Sequence, residues 1–428
     1  MNARRSEGNT RTSRVRPAIS RGGRTRRAAI PSGLGRVVLV VAVAVVMAGC
    51  SASSSPSATA VVHGDTVPTV SALGPTSFTG PGPFAAGEDT LHLSPGGPLV
   101  EVWYPATRAS VTGHTQATYN VEAWLPPALR TLIPAGFTGA VYKTDAYRGV
   151  PVAPGRFPLV VFTHGYSGFR DQSTFLTSRL ASWGFVVAAP DLPDNDLTAV
   201  LSGASSQGIG ADVAEQQHTI TLMGGENAAT SGKFSGHLDM SRIAAVGHSL
   251  GGAVSEALAV ADPRVDTFIG LAGATVGSFG QSSSGPASEV PHKPGMLMVG
   301  TADQVASPSG IVAAFGSMAT PKRLVTLHNF GHLVFADICE IGAGQGGLLA
   351  IANEVHITIP PSLKKLASDG CASPDTPVTD GWPVIRQAVT AQLRHTFGFD
   401  QSQAGLTGLR SAFPKTVARN VFVPISTS

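Results

Sequence analysis

Ser249 stands in a pattern that can turn a serine hydroxyl into a nucleophile. An apolar stretch typical of a buried strand, Arg242 to Val246, precedes it, and a stretch typical of a helix, Ser255 to Val260, follows it. A sharp strand-to-helix turn would expose the hydroxyl, and Gly247 and Gly251 would leave room for the crowded backbone. The alternative is a glycine-rich turn without chemistry. The motif itself reads Val-Gly-His-Ser-Leu-Gly-Gly-Ala.

A nucleophilic serine needs a histidine base and an acid that orients it, and in this kind of turn they follow in the order serine, acid, histidine. The apolar strand Lys293–Gly300 ends just before Asp303. The strand Lys322–Leu327 leads to His332 through Gly331, which we expect to free the backbone to turn. We therefore predict Asp303 as the acid and His332 as the base.

Other residues compete for these roles. His328 is the alternative base, although its position at a strand end favours packing. Asp191, Asp194 and Asp196 are alternative acids, but they precede the serine, and Asp303 itself could be a loop cap. The same three aspartates could bind a hard cation such as calcium or form a solvated or capping loop. We expect His248 to point away from the serine and to pack or hydrogen-bond beside it.

Acyl transfer also needs hydrogen-bond donors for the tetrahedral oxyanion. The amide that follows the nucleophile, that of Leu250, is the first predicted donor. The second is the amide of Tyr166, because the strand Phe157–Thr163 breaks at a glycine-rich turn there. A helix from about Thr174 to Trp183 and a strand from Gly184 to Asp191 follow, which is a βαβ rhythm.

With these residues in place, the chain resembles the α/β-hydrolases over roughly residues 80 to 400. More narrowly, it is similar to secreted dienelactone-hydrolase-like and platelet-activating-factor-acetylhydrolase-like esterases. The Gly-Tyr turn also resembles that of bacterial cutinase-like polyester hydrolases. The segments that carry the resemblance are Val100–Ala106, His164–Tyr166, Leu180–Ala188, the serine motif and Gly331-His332.

The resemblance implies an α/β-hydrolase fold, a mostly parallel sheet flanked by helices and carrying loop insertions. It also implies a triad of Ser249, Asp303 and His332, with Tyr166 and Leu250 at the oxyanion hole. Dienelactone hydrolases proper use a cysteine nucleophile, so the serine counts against true dienelactone activity.

The N-terminus predicts export. Ten arginines and a single acid precede the apolar run Val37–Val46, which is too short to span a bilayer comfortably and ends in Met-Ala-Gly before Cys50. This pattern predicts a lipoprotein signal peptide over residues 1–49 and a lipid on Cys50, which would anchor the protein to the outer face of a bacterial membrane or cell envelope. An uncleaved anchor is the alternative, and the position of the true start codon stays open.

Removal of the signal peptide changes the charge balance. Lys and Arg fall from 30 to 20 while Asp and Glu fall from 27 to 26, so the net charge becomes about −6. No basic stripe survives to indicate nucleic-acid binding. We expect insertions at 107–152 and 202–240 and a terminal helix over Trp382–Leu393. The predicted organisation is a signal peptide at 1–49, a lipidated flexible tether at 50–75, a catalytic domain at 76–400 and a C-terminal tail at 401–428.

Two cysteines remain once Cys50 carries lipid. Cys339 and Cys371 are predicted to form a disulfide, with free buried thiols as the alternative. The glycine-rich stretches lack the Gly-Lys-Ser/Thr ending of a phosphate loop, and no Gly-x-Gly-x-x-Gly opens the fold. We therefore predict neither a cofactor nor a metal.

These observations favour a serine carboxylic ester hydrolase that works through an acyl-enzyme intermediate on short-acyl or lipid esters. Its expected partners are a small-molecule or lipid ester and, through Cys50, a membrane. Two alternatives stay open: an acyltransferase on the same fold, and a catalytically inactive surface lipoprotein that binds a lipid or a partner. The oligomeric state is not predicted.

Overall fold

The computed structural model describes residues 67–275 and 290–425. The predicted signal peptide, Cys50 and the tether as far as residue 66 lie outside the described residues, and so they stay predictions. Among the helices that are described, none combines the length and the apolar character needed to cross a membrane.

Eleven strands of the described residues form one mixed sheet, in the order β11-β10-β9-β8-β7-β5-β6-β2-β1-β4-β3. The six central strands, from β10 to β6, run parallel to one another. Antiparallel pairs join β2 to β6 on one side and β11 to β10 on the other. The strands are β1 Ala85–His92, β2 Leu99–Ala106, β3 Gln116–Asn120, β4 Val141–Arg148, β5 Phe157–Thr163, β6 Val186–Pro190, β7 Leu238–His248, β8 Thr267–Leu271, β9 Gly295–Gly300, β10 Lys322–Leu327 and β11 Val417–Val423.

Helices cover both faces of this sheet. One apolar cluster joins one face to α2 and α9, and a second joins the other face to α4, α5 and α6. The α-helices are α1 Pro127–Arg130, α2 Thr174–Ser182, α3 Leu197–Leu201, α4 Ile209–Ala228, α5 Leu250–Ala261, α6 Pro308–Ser317, α7 Leu348–Glu354, α8 Pro361–Leu366, α9 Val378–Thr396 and α10 Leu409–Ala412. Short 3₁₀ helices span Val121–Trp124, His332–Phe335 and Ala343–Gln345.

The central strands are buried on both sides. In β5, Val160 and Phe162 belong to the cluster under α2 and α9, whereas Leu159 and Val161 belong to the cluster under α4 and α5. Strands covered on both faces need apolar residues at every position, not at alternate ones. This explains why β5 could be predicted from the sequence with its bounds unchanged.

The expected insertions have different structures. Residues 107–152 add β3, α1 and β4, and the two strands extend the sheet at one edge. Residues 202–240 contain α4, which packs on α5 and on the central strands. The prediction of an insertion at 202–240 is therefore wrong. Helix α4 is the crossover between β6 and β7, and parallel strands require such a connection. The terminal helix, α9, is longer at both ends than predicted.

The domain also extends past both predicted boundaries. Strand β11 lies within the predicted tail, yet it pairs along its length with β10. At the other end, Val67 is buried and Arg394 donates a 2.8 Å hydrogen bond to the carbonyl oxygen of Pro68. The sheet domain therefore includes residues predicted as tether and as tail.

Candidate active site

Ser249 occupies the bend between β7 and α5, with backbone angles of φ 57° and ψ −123°. A non-glycine residue in this region costs roughly 1–3 kcal/mol and persists only where the surroundings enforce it. The side chain is 4% exposed, and it lines a cavity at the edge of the sheet. The strained turn is the geometry expected for a serine presented above a sheet.

Two glycines make this turn possible. A Cβ on Gly247 would meet the carbonyl group of Gly251 and lie 2.8 Å from the Oγ of Ser255. A Cβ on Gly251 would lie 2.6 Å from the carbonyl oxygen of His164. Helix α5 can therefore lie this close to β7 and to the end of β5 only with glycine at these two positions, which the sequence analysis predicted to leave room for the backbone.

Asp303 and His332 are in direct contact. The Nδ1 of His332 lies 2.9 Å from the Oδ2 of Asp303, and both side chains are fully buried. The other carboxylate oxygen accepts hydrogen bonds from the amides of Val305 at 2.9 Å and Ala306 at 2.7 Å. The carboxylate is thus fixed, and it holds the proton of His332 on Nδ1.

The other ring nitrogen of His332 is available for chemistry. Its Nε2 is buried and has no hydrogen-bond partner among the described residues. With Nδ1 protonated, Nε2 carries the lone pair that can accept a proton. His332 and Ser249 line the same cavity. A buried unpartnered acceptor costs stability, and such groups concentrate where catalysis needs them.

Two backbone amides near Ser249 are the predicted oxyanion donors. Leu250 is the first residue of α5, so its amide has no acceptor within the helix and lies at the positive end of the helix dipole. Tyr166 lies in the turn after β5, and its amide makes no hydrogen bond within the part of the chain that is described. The structure therefore brings both predicted donors to the turns beside Ser249.

The fold brings these groups together because they all follow parallel strands. Tyr166 follows β5, Ser249 follows β7, Asp303 follows β9 and His332 follows β10. In open α/β sheets, the crevice at the carboxyl ends of the strands is where ligands bind, at the point where the strand order reverses. Here the chain passes from β5 to β6 on one side and then to β7 on the other.

A buried chain of hydrogen bonds links three of these turns. The amide of Gly165 donates to the Oε1 of Gln172, whose Nε2 lies 3.0 Å from the Nδ1 of His248. The Nε2 of His248 in turn lies 3.1 Å from the carbonyl oxygen of His332. Burial lowers the pKa of His248 well below 6.5, and the nearby His332 adds to this. A neutral ring then accepts from the amide of Gln172 and donates to His332.

Gln172 was missed by the sequence analysis. It lies seven residues after Gly165, in the irregular segment before α2, where no motif marks it. His248 does hydrogen-bond beside the serine, as expected, but its partners are Gln172 and the backbone of His332. A pattern of residue types cannot reveal this contact, since it depends on the separation of two distant loops.

The role predicted for Gly331 is wrong. Its φ of −85° is open to any residue. Glycine is needed for another reason, since a Cβ there would lie 2.5 Å from the Cα of Gly370. The histidine turn is therefore pressed against a later segment of the chain.

The competing candidates lie elsewhere. His328 is exposed, so the packing role predicted for it is wrong. Asp191 accepts from Arg170 at 2.5 Å and from the indole of Trp124. Asp196 caps α3 by accepting from the amide of Ala199. These contacts support the capping interpretation of that loop.

One group of acids could in principle share a cation. Glu88, Glu101 and Asp171 are buried, with ligand oxygens within 4.8 Å of one another. Arg148 contacts Glu88 and Glu101, and Arg170 contacts Glu101 and Asp171. Burial raises the pKa of Glu88 to about 7. Two guanidinium groups already pair with these carboxyl groups, so the cluster fits a structural network better than a metal site.

The expected disulfide is present between Cys339 and Cys371. It brackets a segment that contains α7 and α8 and that supplies much of the cavity wall. The bridge closes this segment at its two ends, close to His332.

Comparison with known proteins identifies the architecture. A ferulic acid esterase from Streptomyces cinnamoneus superposes with a TM-score of 0.53 at 22% sequence identity, covering 79% of this chain and 96% of that one. The chain has the α/β-hydrolase fold. Residues 101–231 match the family described as platelet-activating factor acetylhydrolase, isoform II, which agrees with the resemblance predicted from the sequence. No curated protein matches the chain.

The family match stops before the serine motif. It includes β2, β5 and the turn with Tyr166, but Ser249, Asp303 and His332 all follow its last residue. The roles of these three residues consequently rest on their geometry. The resemblance to cutinase-like polyester hydrolases stays a prediction.

Proposed function

We propose that this α/β-hydrolase is a serine carboxylic ester hydrolase. The observation that carries the proposal is the pairing of His332 through Nδ1 with Asp303, which leaves a buried, unpartnered Nε2 beside the cavity that Ser249 also lines. The acetylhydrolase match and the esterase with the same fold support the same class of reaction.

In the first step, the Nε2 of His332 accepts the Ser249 proton while Oγ forms a bond to the ester carbonyl carbon. The carbonyl oxygen gains the negative charge, which the amides of Tyr166 and Leu250 stabilise. Asp303 stabilises the imidazolium. The bond from carbon to the alcohol oxygen then breaks, and His332 returns the proton to the leaving alcohol.

In the second step, water takes the place of the serine hydroxyl as the nucleophile. His332 takes a proton from the water as its oxygen bonds to the acyl carbon, and the bond to Ser249 Oγ breaks. The acid leaves and the serine recovers its proton. An alcohol in place of water would make the protein an acyltransferase, so product analysis with added alcohol separates the two reactions.

The finer substrate class is an ester with a short acyl group, including a lipid ester. The name of the matched family, an acetylhydrolase, supports a small acyl group. A catalytically inactive binding protein is the weaker alternative, because it gives no reason to maintain a strained serine and a buried unpartnered imidazole nitrogen.

Hydrolysis of p-nitrophenyl butyrate by the protein and by Ser249→Ala tests the proposal. Removal of the nucleophile should lower kcat by several orders of magnitude, with a small residual rate from the oxyanion donors. Ser202→Ala, an exposed serine at the end of α3, is the matched control and should retain activity. A folded Ser249→Ala protein with near-normal turnover would remove the assignment.

A further inference from the structure

Two cavities of different character meet at Ser249. One has a volume of about 150 Å³ and is lined almost entirely by apolar side chains. The other has a volume of about 730 Å³, is more open, and includes the polar side chains of Asn195, Gln304 and Lys365. The two share Tyr166, Ser249, Leu363 and Leu366. An ester carbonyl at Ser249 therefore has an apolar space on one side and a wider, more polar space on the other.

The walls of the apolar cavity come from two distant segments. Residues 121–140 supply Val121, Leu125 and Phe137, and the segment bracketed by the disulfide supplies Ile351 and Ala352 among others. Val121 and Leu125 are buried in two apolar clusters distinct from the two that cover the central strands, and Ile351 is buried as well. The cavity is thus a formed part of the fold.

We propose that the apolar cavity holds the acyl group of the substrate and that the open cavity holds a polar alcohol. This inference rests on the proposed function. In acyl-enzyme chemistry, the alcohol must leave and water must enter while the acyl group stays bonded to Ser249. The open cavity offers that path. The smaller cavity has no such requirement, and its apolar walls stabilise an acyl chain through removal of its surface from water.

The cavity volume sets the size of the acyl group. A dry cavity of about 150 Å³ lined by Leu, Ile and Phe holds benzene in another protein, that is, six carbon atoms. The preferred substrates are therefore esters of acids with about six carbons. Acetyl leaves much of the cavity empty, and palmitoyl exceeds it.

Two isomeric esters distinguish acyl from alcohol binding. Ethyl hexanoate and hexyl acetate contain the same atoms, but the six-carbon chain is the acyl group only in the first. We expect ethyl hexanoate to have the higher kcat/KM. We also expect p-nitrophenyl esters to reach their maximum near hexanoate and to decline towards palmitate.

Ala352→Leu fills the cavity from α7 and should lower the ratio of hexanoate to acetate hydrolysis at least about tenfold. Ala350→Leu is the matched control, because Ala350 lies on the same helix but does not line the cavity. It should leave the ratio unchanged. The proposal would be overturned if Ala352→Leu lowered kcat/KM for hexyl acetate alone. It would also be overturned if Ala352→Leu left kcat/KM unchanged for both hexyl acetate and ethyl hexanoate.

Failure of the proposed function is recognised separately. If no ester is hydrolysed in a Ser249-dependent way, the hydrolase assignment fails, and calorimetric binding of hexanoate then tests the cavity by itself. We expect the protein and Ala350→Leu to bind hexanoate more tightly than Ala352→Leu does. Equal affinities, or no binding to any of the three, would overturn the cavity assignment.

A second inference concerns Asp369, which is 7% exposed. Its Oδ2 accepts hydrogen bonds from the amide of His332 at 2.9 Å and from the amide of Gln304 at 3.0 Å. Gln304 follows Asp303 directly, so one carboxylate oxygen joins the loop of the acid to the loop of the base. The carbonyl oxygen of Asp369 also accepts from the amide of Leu333.

The geometry points to Asp369 as a positioning residue for the pair of Asp303 and His332. Its neighbour Gly370 packs against Gly331, where a Cβ would not fit. The next residue, Cys371, is joined to Cys339 by the disulfide, which restrains this segment. Asp369 lines neither of the two cavities that meet at Ser249. It sets the distance between two loops, and an error of about 1 Å in such a distance costs roughly a hundredfold in rate.

Asp369→Ala should lower kcat by about 10- to 100-fold with little change in KM. Asp369→Asn keeps a carbonyl oxygen for the two amides and should recover most of the rate. Asp380→Ala, an exposed aspartate in the first turn of α9, is the control. If Asp369 had only a structural role, Asp369→Ala would lower the fraction of folded protein but leave kcat per labelled active site unchanged. That result would overturn the inference.

An NMR measurement tests the role of Asp369 without any enzymatic assay, so it does not depend on the proposed function. The proton on Nδ1 of His332, shared with Asp303, gives a downfield ¹H NMR signal that His332→Ala identifies. We expect Asp369→Ala to shift or broaden this signal and Asp369→Asn to restore it. An unchanged signal in Asp369→Ala would contradict a positioning role.

Discussion

Among single residues, the proposed reaction depends most on which aspartate pairs with His332. Asp303 holds the Nδ1 proton of the imidazole, and two amides fix its other oxygen. An asparagine would present either an amide group to that proton or an amide group to the two backbone donors. Because the second arrangement sets the NH2 group against two backbone donors, the first is favoured, and it favours the wrong tautomer of the histidine.

Asp303→Asn should therefore lower kcat by about three to four orders of magnitude. Asp194→Asn, in the loop of the alternative acids, should have little effect. Steady-state hydrolysis of p-nitrophenyl butyrate measures both. The reverse ranking would assign the acid to the loop before the serine.

The residues that react could be predicted from the sequence, but the residues that position them could not. Ser249, Asp303 and His332 could be chosen because each follows a recognisable strand. Gln172 and Asp369 could not, because a glutamine or aspartate in a loop has no distinctive spacing. Gly331 was chosen for the wrong reason, since the contact with Gly370 is visible only when two distant loops are placed.

At the scale of elements, the turn of His332 is anchored to the start of α2. Asp337 follows this turn, and its carboxylate accepts hydrogen bonds from the amides of Thr174 and Phe175. The hydroxyl of Ser173 donates to the carbonyl oxygen of Phe335 at 2.9 Å. Burial raises the pKa of Asp337 from 3.8 to about 7, against the opposing effect of its hydrogen bonds.

This shift predicts a pH dependence of stability. Between about pH 4 and pH 7 the folded protein keeps a proton on Asp337 that the unfolded chain releases, so the free energy of unfolding falls as the pH rises. Asp337→Asn removes the titrating group and should flatten this decline. Urea unfolding at several pH values across that range, with Asp380→Asn as the control, measures the difference. Equal slopes in the protein and in Asp337→Asn would refute the assignment.

Elements were predictable where burial is complete on both sides. Strand β5 matches its predicted bounds because a nearly continuous apolar run defines it. Strand β10 also matches its predicted bounds, although half of its residues are polar or charged. Strand β11 was not predicted, since its residues are only partly buried at the sheet edge and include charged and polar side chains. The crossover helix α4 lies in a segment that was expected to be an insertion, although it packs on the central strands.

At the scale of the whole molecule, the sheet brings the reacting groups together, and additions to it shape the space around them. The strands supply the turns of Tyr166, Ser249, Asp303 and His332 at one edge. Residues 121–140 and the disulfide-bracketed segment supply the apolar walls. The α/β-hydrolase fold could be predicted from motif order, but the size of the acyl cavity required the positions of segments more than 200 residues apart in the sequence.

The most direct test of the account is to trap the acyl-enzyme. The protein is mixed with p-nitrophenyl butyrate, quenched with acid within the first turnovers, digested and examined by peptide mass spectrometry. The account predicts a butyryl group on Ser249, and none on the same peptide of Ser249→Ala. Turnover without any acylated peptide, or with the acyl group on another residue, would contradict it.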